Sequence, residues 1–290
     1  YIYMQNYEKK IIDKIIWWIP FRSLRDFIRL LAYNIIEINK IKDETKSIKS
    51  DLTILENYLA KNNYKIINYN KIYQYDYIIS IGENCFCAQM LKENNLRQFS
   101  SPFDWLTPGP EWSINNVINN LKIIINKFDN FFSKEDFHYL AKSTNNNVSY
   151  ANSKNLLHFY HDFIESKDFN DEYIRLKEKY DRRINRLIDL LSSKNNKILL
   201  VYIESNLLNS GIFDIKEIFN LLKQIRMIYN NDNIYILYIK HNFSFENDII
   251  FKNFNDDIHL YELNNSDENW NLSIHNTNKI LSNYKVTNNI

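Results

Sequence analysis

Two runs of this chain, Lys197–Ile203 and Asn233–Ile239, are apolar almost without interruption, and a helix-like pattern over Ile215–Tyr229 separates them. A strand with one wet face alternates apolar and polar residues. A continuous apolar run is the pattern of a strand buried on both faces, as in a parallel sheet covered by helices. A strand, a helix and a strand joined this briefly form a right-handed βαβ unit. Further strand-like runs lie at Tyr77–Ile81, Asn155–Tyr160 and Ile258–Leu263. Helix-like runs lie at Cys85–Asn94, Glu111–Phe128, Asp171–Ser192 and Glu268–Leu281, the last burying Trp270. The expected fold is a three-layer α/β sandwich with a mostly parallel sheet, spanning residues 73–290. In such folds ligands bind beyond the carboxyl ends of the strands.

Residues 1–72 read differently, as a helical extension. Ile11 to Ile19 is mostly apolar and contains Trp17 and Trp18; after Pro20, Arg22, Arg25 and Arg29 alternate with Leu24, Phe27, Ile28 and Leu31. A basic amphipathic helix beside tryptophans suits a membrane interface, so residues 11–31 are expected either to touch a membrane surface peripherally or to pack on protein. Ile38, Ile41, Thr45, Ile48, Leu52, Leu55 and Leu59 then follow in steps of three and four. That is a heptad seam, and its narrowness favours a coiled coil that makes a homo-oligomer through residues 38–59 over a helix lying on the main domain.

Composition excludes several classes. The 36 basic residues nearly balance 35 acidic ones, which argues against a general nucleic-acid binder. The two cysteines, Cys85 and Cys87, sit too close in sequence to pair and are too few for a structural zinc site, so no metal and no cofactor are expected. With no disulfide framework, no secretory signal and no apolar run of about 18 residues, the expected location is cytoplasmic, or peripheral to the inner membrane. The abundance of Tyr, Asn, Ile and Lys fits an AT-rich bacterial genome. The chain opens at Tyr1 rather than Met, as a fragment or a processed product would.

The chemistry-bearing residues fall in three blocks. In the first, Tyr77–Ile81 leads to Gly82, one of only 3 glycines, then Asn84 and Cys85, where a helix begins. A thiol there meets exposed N–H groups and a helix dipole, which favour a nucleophilic thiolate and can hold an oxyanion. Cys87 lies about 200° away around the helix axis and is expected to be a buried neighbour. The bland alternative for a lone cysteine is a small hydrophobe. The second block, Ser100-Ser-Pro-Phe-Asp-Trp-Leu106, is rigid, and Asp104 either orients a histidine or caps a turn. The third is Leu156-Leu-His-Phe-Tyr-His-Asp-Phe163. On a strand His158 and His161 face opposite sides, and His161, nearer the carboxyl end, is the better general base. Phe103, Trp105 and Arg183 are candidates for substrate contact, with Gly82 and Asn84.

Ser80-Ile-Gly-Glu-Asn-Cys85, Leu96-Arg97, Pro102-Phe-Asp-Trp105, His161-Asp-Phe163, Lys179-Tyr-Asp-Arg-Arg-Ile184 and Trp270 together resemble a bacterial domain-of-unknown-function family described as papain-like cysteine peptidases. The resemblance covers roughly residues 75–280. It implies Cys85 as nucleophile and His161 as its base; Asp104 is assigned as the third member on the same match. The alternation of elements is also similar to SGNH-type hydrolases, a Rossmann-like arrangement, and to acyltransferases of polysaccharide biosynthesis. Residues 17–25 resemble segments of bacterial surface-glycan enzymes. The expected function is therefore a cysteine-dependent hydrolase or acyltransferase acting on a small molecule or glycan, with a place in surface-polysaccharide biosynthesis. The alternative is a non-catalytic scaffold or glycan-binding module assembled through the coiled coil.

Overall fold

A computed structural model describes residues 71–82, 84–108, 116–142, 146–204, 215–242, 249–254, 256–264 and 270–287, with positions 30–31, 33–34, 38–39, 41–42 and 45–46. The chain divides into two compact units, Tyr1–Asn62 and Asn63–Ile290. In the first unit every described position is helical, and Leu30, Leu31, Ile38 and Ile41 are exposed. Residues 11–29 of the expected membrane-contacting helix and 47–59 of the heptad seam lie outside the described residues. No described helix is long and apolar enough to cross a membrane.

The second unit is built on a five-stranded sheet. Its strands are β2 (Tyr77–Ser80), β7 (Ile198–Ile203), β8 (Ile234–Asn242), β9 (Ile249–Phe254) and β10 (Ile258–Asn264), in the order β2-β7-β8-β10-β9. The first four in that order run parallel, and β9 pairs with β10 antiparallel. β7 is buried along its whole length. Leu200 and Tyr202 enter one core, with residues of α2 (Asn116–Ile125) and α4 (Ile215–Tyr229). Leu199, Val201 and Ile203 enter a second core, with α1 (Asn84–Glu93) and α5 (Trp270–Leu281). The two faces of one strand thus feed separate cores, which is why its sequence shows no polar alternation. The protein has the expected mixed α/β class with a mostly parallel main sheet.

The sequence reading gave that sheet a strand it does not have. The run at 155–160 belongs to β6 (Leu157–Ile164), which sits in a second, wholly antiparallel sheet of order β3-β6-β5-β4. Its other members are β3 (Leu106–Pro108), β4 (Phe137–Lys142) and β5 (Asn147–Asn152). All of it lies between β2 and β7 in the chain. Its Phe159 and Phe163 share the core of α2 and α4, so this small sheet is joined to the main one through β6. A third pairing joins β1 (Tyr73–Tyr75) to β11 (Tyr284–Val286) in parallel.

Helix α3 (Phe169–Ser192) carries the chain from β6 back to β7. Asp168 caps it by accepting from Asn170 N at 2.8 Å, and Asp171 and Glu172 favour the positive end of its dipole. Leu176, Tyr180, Ile184, Leu187 and Leu191 form one buried stripe. The stripe selects the face that packs and leaves most charged residues outside; Glu172 is the buried exception, paired with Arg175.

Candidate active site

The carboxyl end of β2 is the origin of the site. Ile81 N donates to Val201 O at 2.8 Å and Gly82 O accepts from Ile203 N at 3.2 Å, so the strand stays locked to β7 as it ends. Gly82 has φ +111°, a backbone state that L side chains rarely adopt. α1 opens at Asn84, placing Cys85 in its first turn. Cys85 is a free, half-buried thiol. Cys87 is fully buried and donates to Val201 O at 3.4 Å. Burial pushes its thiol up to about 12, and the charge of Asp104 adds to this. The two cysteines are thus separated by the helix: Cys87 anchors α1 to the sheet and Cys85 keeps access to solvent.

The Ser100–Leu106 block forms a turn held from within. Arg97 Nη2 lies 2.5 Å and its Nε 3.2 Å from Asp104 Oδ2, which also accepts from Ser101 N at 3.0 Å. Arg183 backs the turn by donating to Ser101 O at 3.3 Å. Asp104 is 0% exposed, and burial holds its carboxyl above the ordinary carboxylate range, against the lowering effect of Arg97. None of these hydrogen bonds goes to a histidine. Phe103 is fully buried, with ring centroids 5.5 Å from Phe128 and 6.2 Å from Phe131, so it meets core rings rather than solvent. Trp105, by contrast, is 41% exposed and has φ +71°. Its ring meets His161 edge-on, centroids 6.1 Å apart at 89°.

His161 owes its exposure to a break in β6. Phe163 pairs with Val148 of β5 and Phe159 with Tyr150, so the register shifts between them. Strict alternation would place His161 on the core face with Phe159 and Phe163; the irregularity turns it outward and buries Asp162 instead. Asp162 accepts from Tyr180 OH at 2.8 Å, pairs with Lys179, and offers its main-chain oxygen to Arg175 at 3.0 Å. It therefore ties β6 to α3. His158 is half-buried, and its Nε2 is enclosed without a hydrogen-bond partner among the described residues. Burial lowers its pKa, and the nearby His161 charge adds to that. The third-block and second-block residues are thus brought together at Trp105 and His161, while α1 with Cys85 lies against β3, the strand that follows Trp105.

The roles of three residues of this region escape sequence reasoning. Arg97 carries the turn. Asn120 of α2 reaches the end of β2, donating to Ile81 O at 2.7 Å. Glu204, 2% exposed, directly follows β7 and accepts from Tyr238 OH. A carboxylate terminating an otherwise apolar strand was a signal available for the last.

These elements define a mixed α/β protein with an accessible thiol at a strand-to-helix turn and an imidazole on a neighbouring sheet. Residues 76–243 match the family described as "Putative papain-like cysteine peptidase (DUF1796)", and the chain belongs to that family. The family description suggests a cysteine hydrolase. "Uncharacterized protein R408" of Acanthamoeba polyphaga mimivirus is 30% identical over 180 residues, 57% of this chain and 77% of that protein. That relative is viral, so the likeness extends past the bacterial proteins expected from the motifs. No solved structure matches the chain.

Proposed function

We propose that the protein is a cysteine-dependent hydrolase with Cys85 as nucleophile. The observation that carries this is the position of Cys85: half-buried, in the first turn of α1, directly beyond a strand end that Gly82 and β7 hold fixed. Cys85 would attack an acyl carbon, His161 would take the thiol proton and return it to the leaving group, and N–H groups at the start of α1 would hold the oxyanion. Asp104 serves this centre through the turn it fixes, which presents Trp105 to His161. Water would then discharge the acyl-enzyme. An acceptor hydroxyl on a glycan precursor would discharge it equally, giving an acyltransferase, and the family description favours water.

Incubation with an activated ester or a fluorogenic peptide, followed by intact-mass measurement, tests the reading. One acyl adduct is expected, retained in Cys87→Ala and absent in Cys85→Ala. An adduct that persists in folded Cys85→Ala would overturn it. Self-association through residues 38–59 belongs to the same reading and is supported by the exposure of Ile38 and Ile41, 51% and 60%. A chain that sediments as a monomer at micromolar concentration contradicts it.

A further inference from the structure

Asn120 lies 39 residues from Ile81 in the chain and touches the nucleophile turn at its root. Just beyond β2, Ile81 N still donates to Val201 O of β7, but the next donor of β7, Ile203 N, goes to Gly82 O and not to Ile81 O. Asn120 Nδ2 supplies the missing donor to Ile81 O at 2.7 Å. The same nitrogen lies 2.9 Å from where a Cβ on Gly82 would stand, so the amide is seated directly on the Gly82 backbone. Ile203 N of β7 holds Gly82 O. Helix α2 and strand β7 thus hold successive carbonyls just beyond β2, three residues before Cys85.

Asn120 is 5% exposed, and its Oδ1 is enclosed with no hydrogen-bond partner among the described residues. A buried acceptor without a donor is costly, and a leucine would fill similar space without that cost. Packing therefore does not explain an asparagine here; the donor does. We infer that Asn120 is a positioning residue, whose side-chain amide sets the direction in which the Gly82 turn delivers the Cys85 thiol. This rests on the reading of Cys85 as nucleophile.

The chain's 3 glycines make the test direct, because a ¹⁵N-glycine-labelled sample gives only three backbone glycine signals, Gly82 among them. Asn120→Leu keeps the bulk and removes the donor; Asn120→Asp keeps the shape and removes the donor. In both, the Gly82 signal should move while those of Gly109 and Gly211 stay. The rate of Cys85 alkylation by iodoacetamide at pH 7 should fall at least threefold, with Cys87 still protected. A folded variant that keeps the parent rate and the parent Gly82 signal overturns the inference. So does loss of Cys87 protection in both variants, which would make Asn120 a residue of bulk stability. Alkylation needs no substrate, so the inference stands or falls separately from the acyl-enzyme experiment on Cys85→Ala.

Discussion

Arg97 closes two guanidinium nitrogens on a single oxygen of Asp104, and the other carboxylate oxygen has no hydrogen-bond partner among the described residues. The carboxylate is fully enclosed, so Arg97→Ala strands a buried charge and should cost about 3–5 kcal/mol at pH 7, read by urea denaturation. The pH dependence has a definite sign. Asp104 already titrates above its unfolded value because burial outweighs the arginine. A raised folded-state pKa gives stability that is full below the unfolded value and lost as pH rises through the folded one. Removing Arg97 widens that window, so the deficit of the variant should be smaller at pH 4 than at pH 7. Equal deficits would show that Arg97 acts through packing alone.

The two cysteines should differ sharply toward alkylating agents. Cys85 is half-buried, whereas Cys87 is enclosed, bonded to Val201 O and pushed up to about 12. At pH 8 the native protein should take one label at Cys85, and the second only in denaturant. Comparable native rates at both sites, by peptide mass mapping, would contradict the placement of α1.

Gly82→Ala combines a strained φ with a Cβ set 2.9 Å from the Asn120 amide. The expected loss is at least about 2 kcal/mol. Replacing Asn120 by Ala removes the clash but leaves the strain, so the double variant should lose less than the sum of the single ones. Strict additivity in denaturant titrations would mean that the amide and the turn are energetically independent.

Asp162 should matter for stability and not through His161. In Asp162→Ala the buried Tyr180 hydroxyl loses its acceptor, a loss of about 2–3 kcal/mol. Tyr180→Phe keeps the Lys179–Asp162 pair and should cost about 1 kcal/mol. Thermal melts of the two variants check the order; a larger effect from Tyr180→Phe would reverse the assignment.

Much of the main sheet was legible because its signals are local. The helix expected at Ile215–Tyr229 has those bounds in the structure, and the apolar runs on either side became β7 and β8. The antiparallel sheet was not, for a physical reason. β4 has one buried residue, Phe137, followed by five exposed ones, and is held by pairing with β5 rather than by a pattern of its own. The outward turn of His161 depends on a register shift, which exists only once β5 and β6 are paired. Sequence drew Cys85 and His161 from residue type and position. It had no means to join Arg97 to Asp104, because a bond across seven residues of a turn has no periodic signature. Asn120 was hidden by composition: in a chain rich in asparagine one more amide carries no signal.

The pairing of β2 with β7 has a kinetic meaning. Lys197, just before β7, donates to Asp76 across 121 residues, and the whole antiparallel sheet is strung between the two strands. Closing so long a loop costs entropy that only the finished edge returns, so this pairing is expected to form late on the folding pathway. The β2 edge that delivers the thiol would then join a body that already carries the imidazole. Ile79→Val should speed unfolding and leave the refolding rate almost unchanged in stopped-flow traces, whereas equal effects on both limbs would place β2 in the folding nucleus.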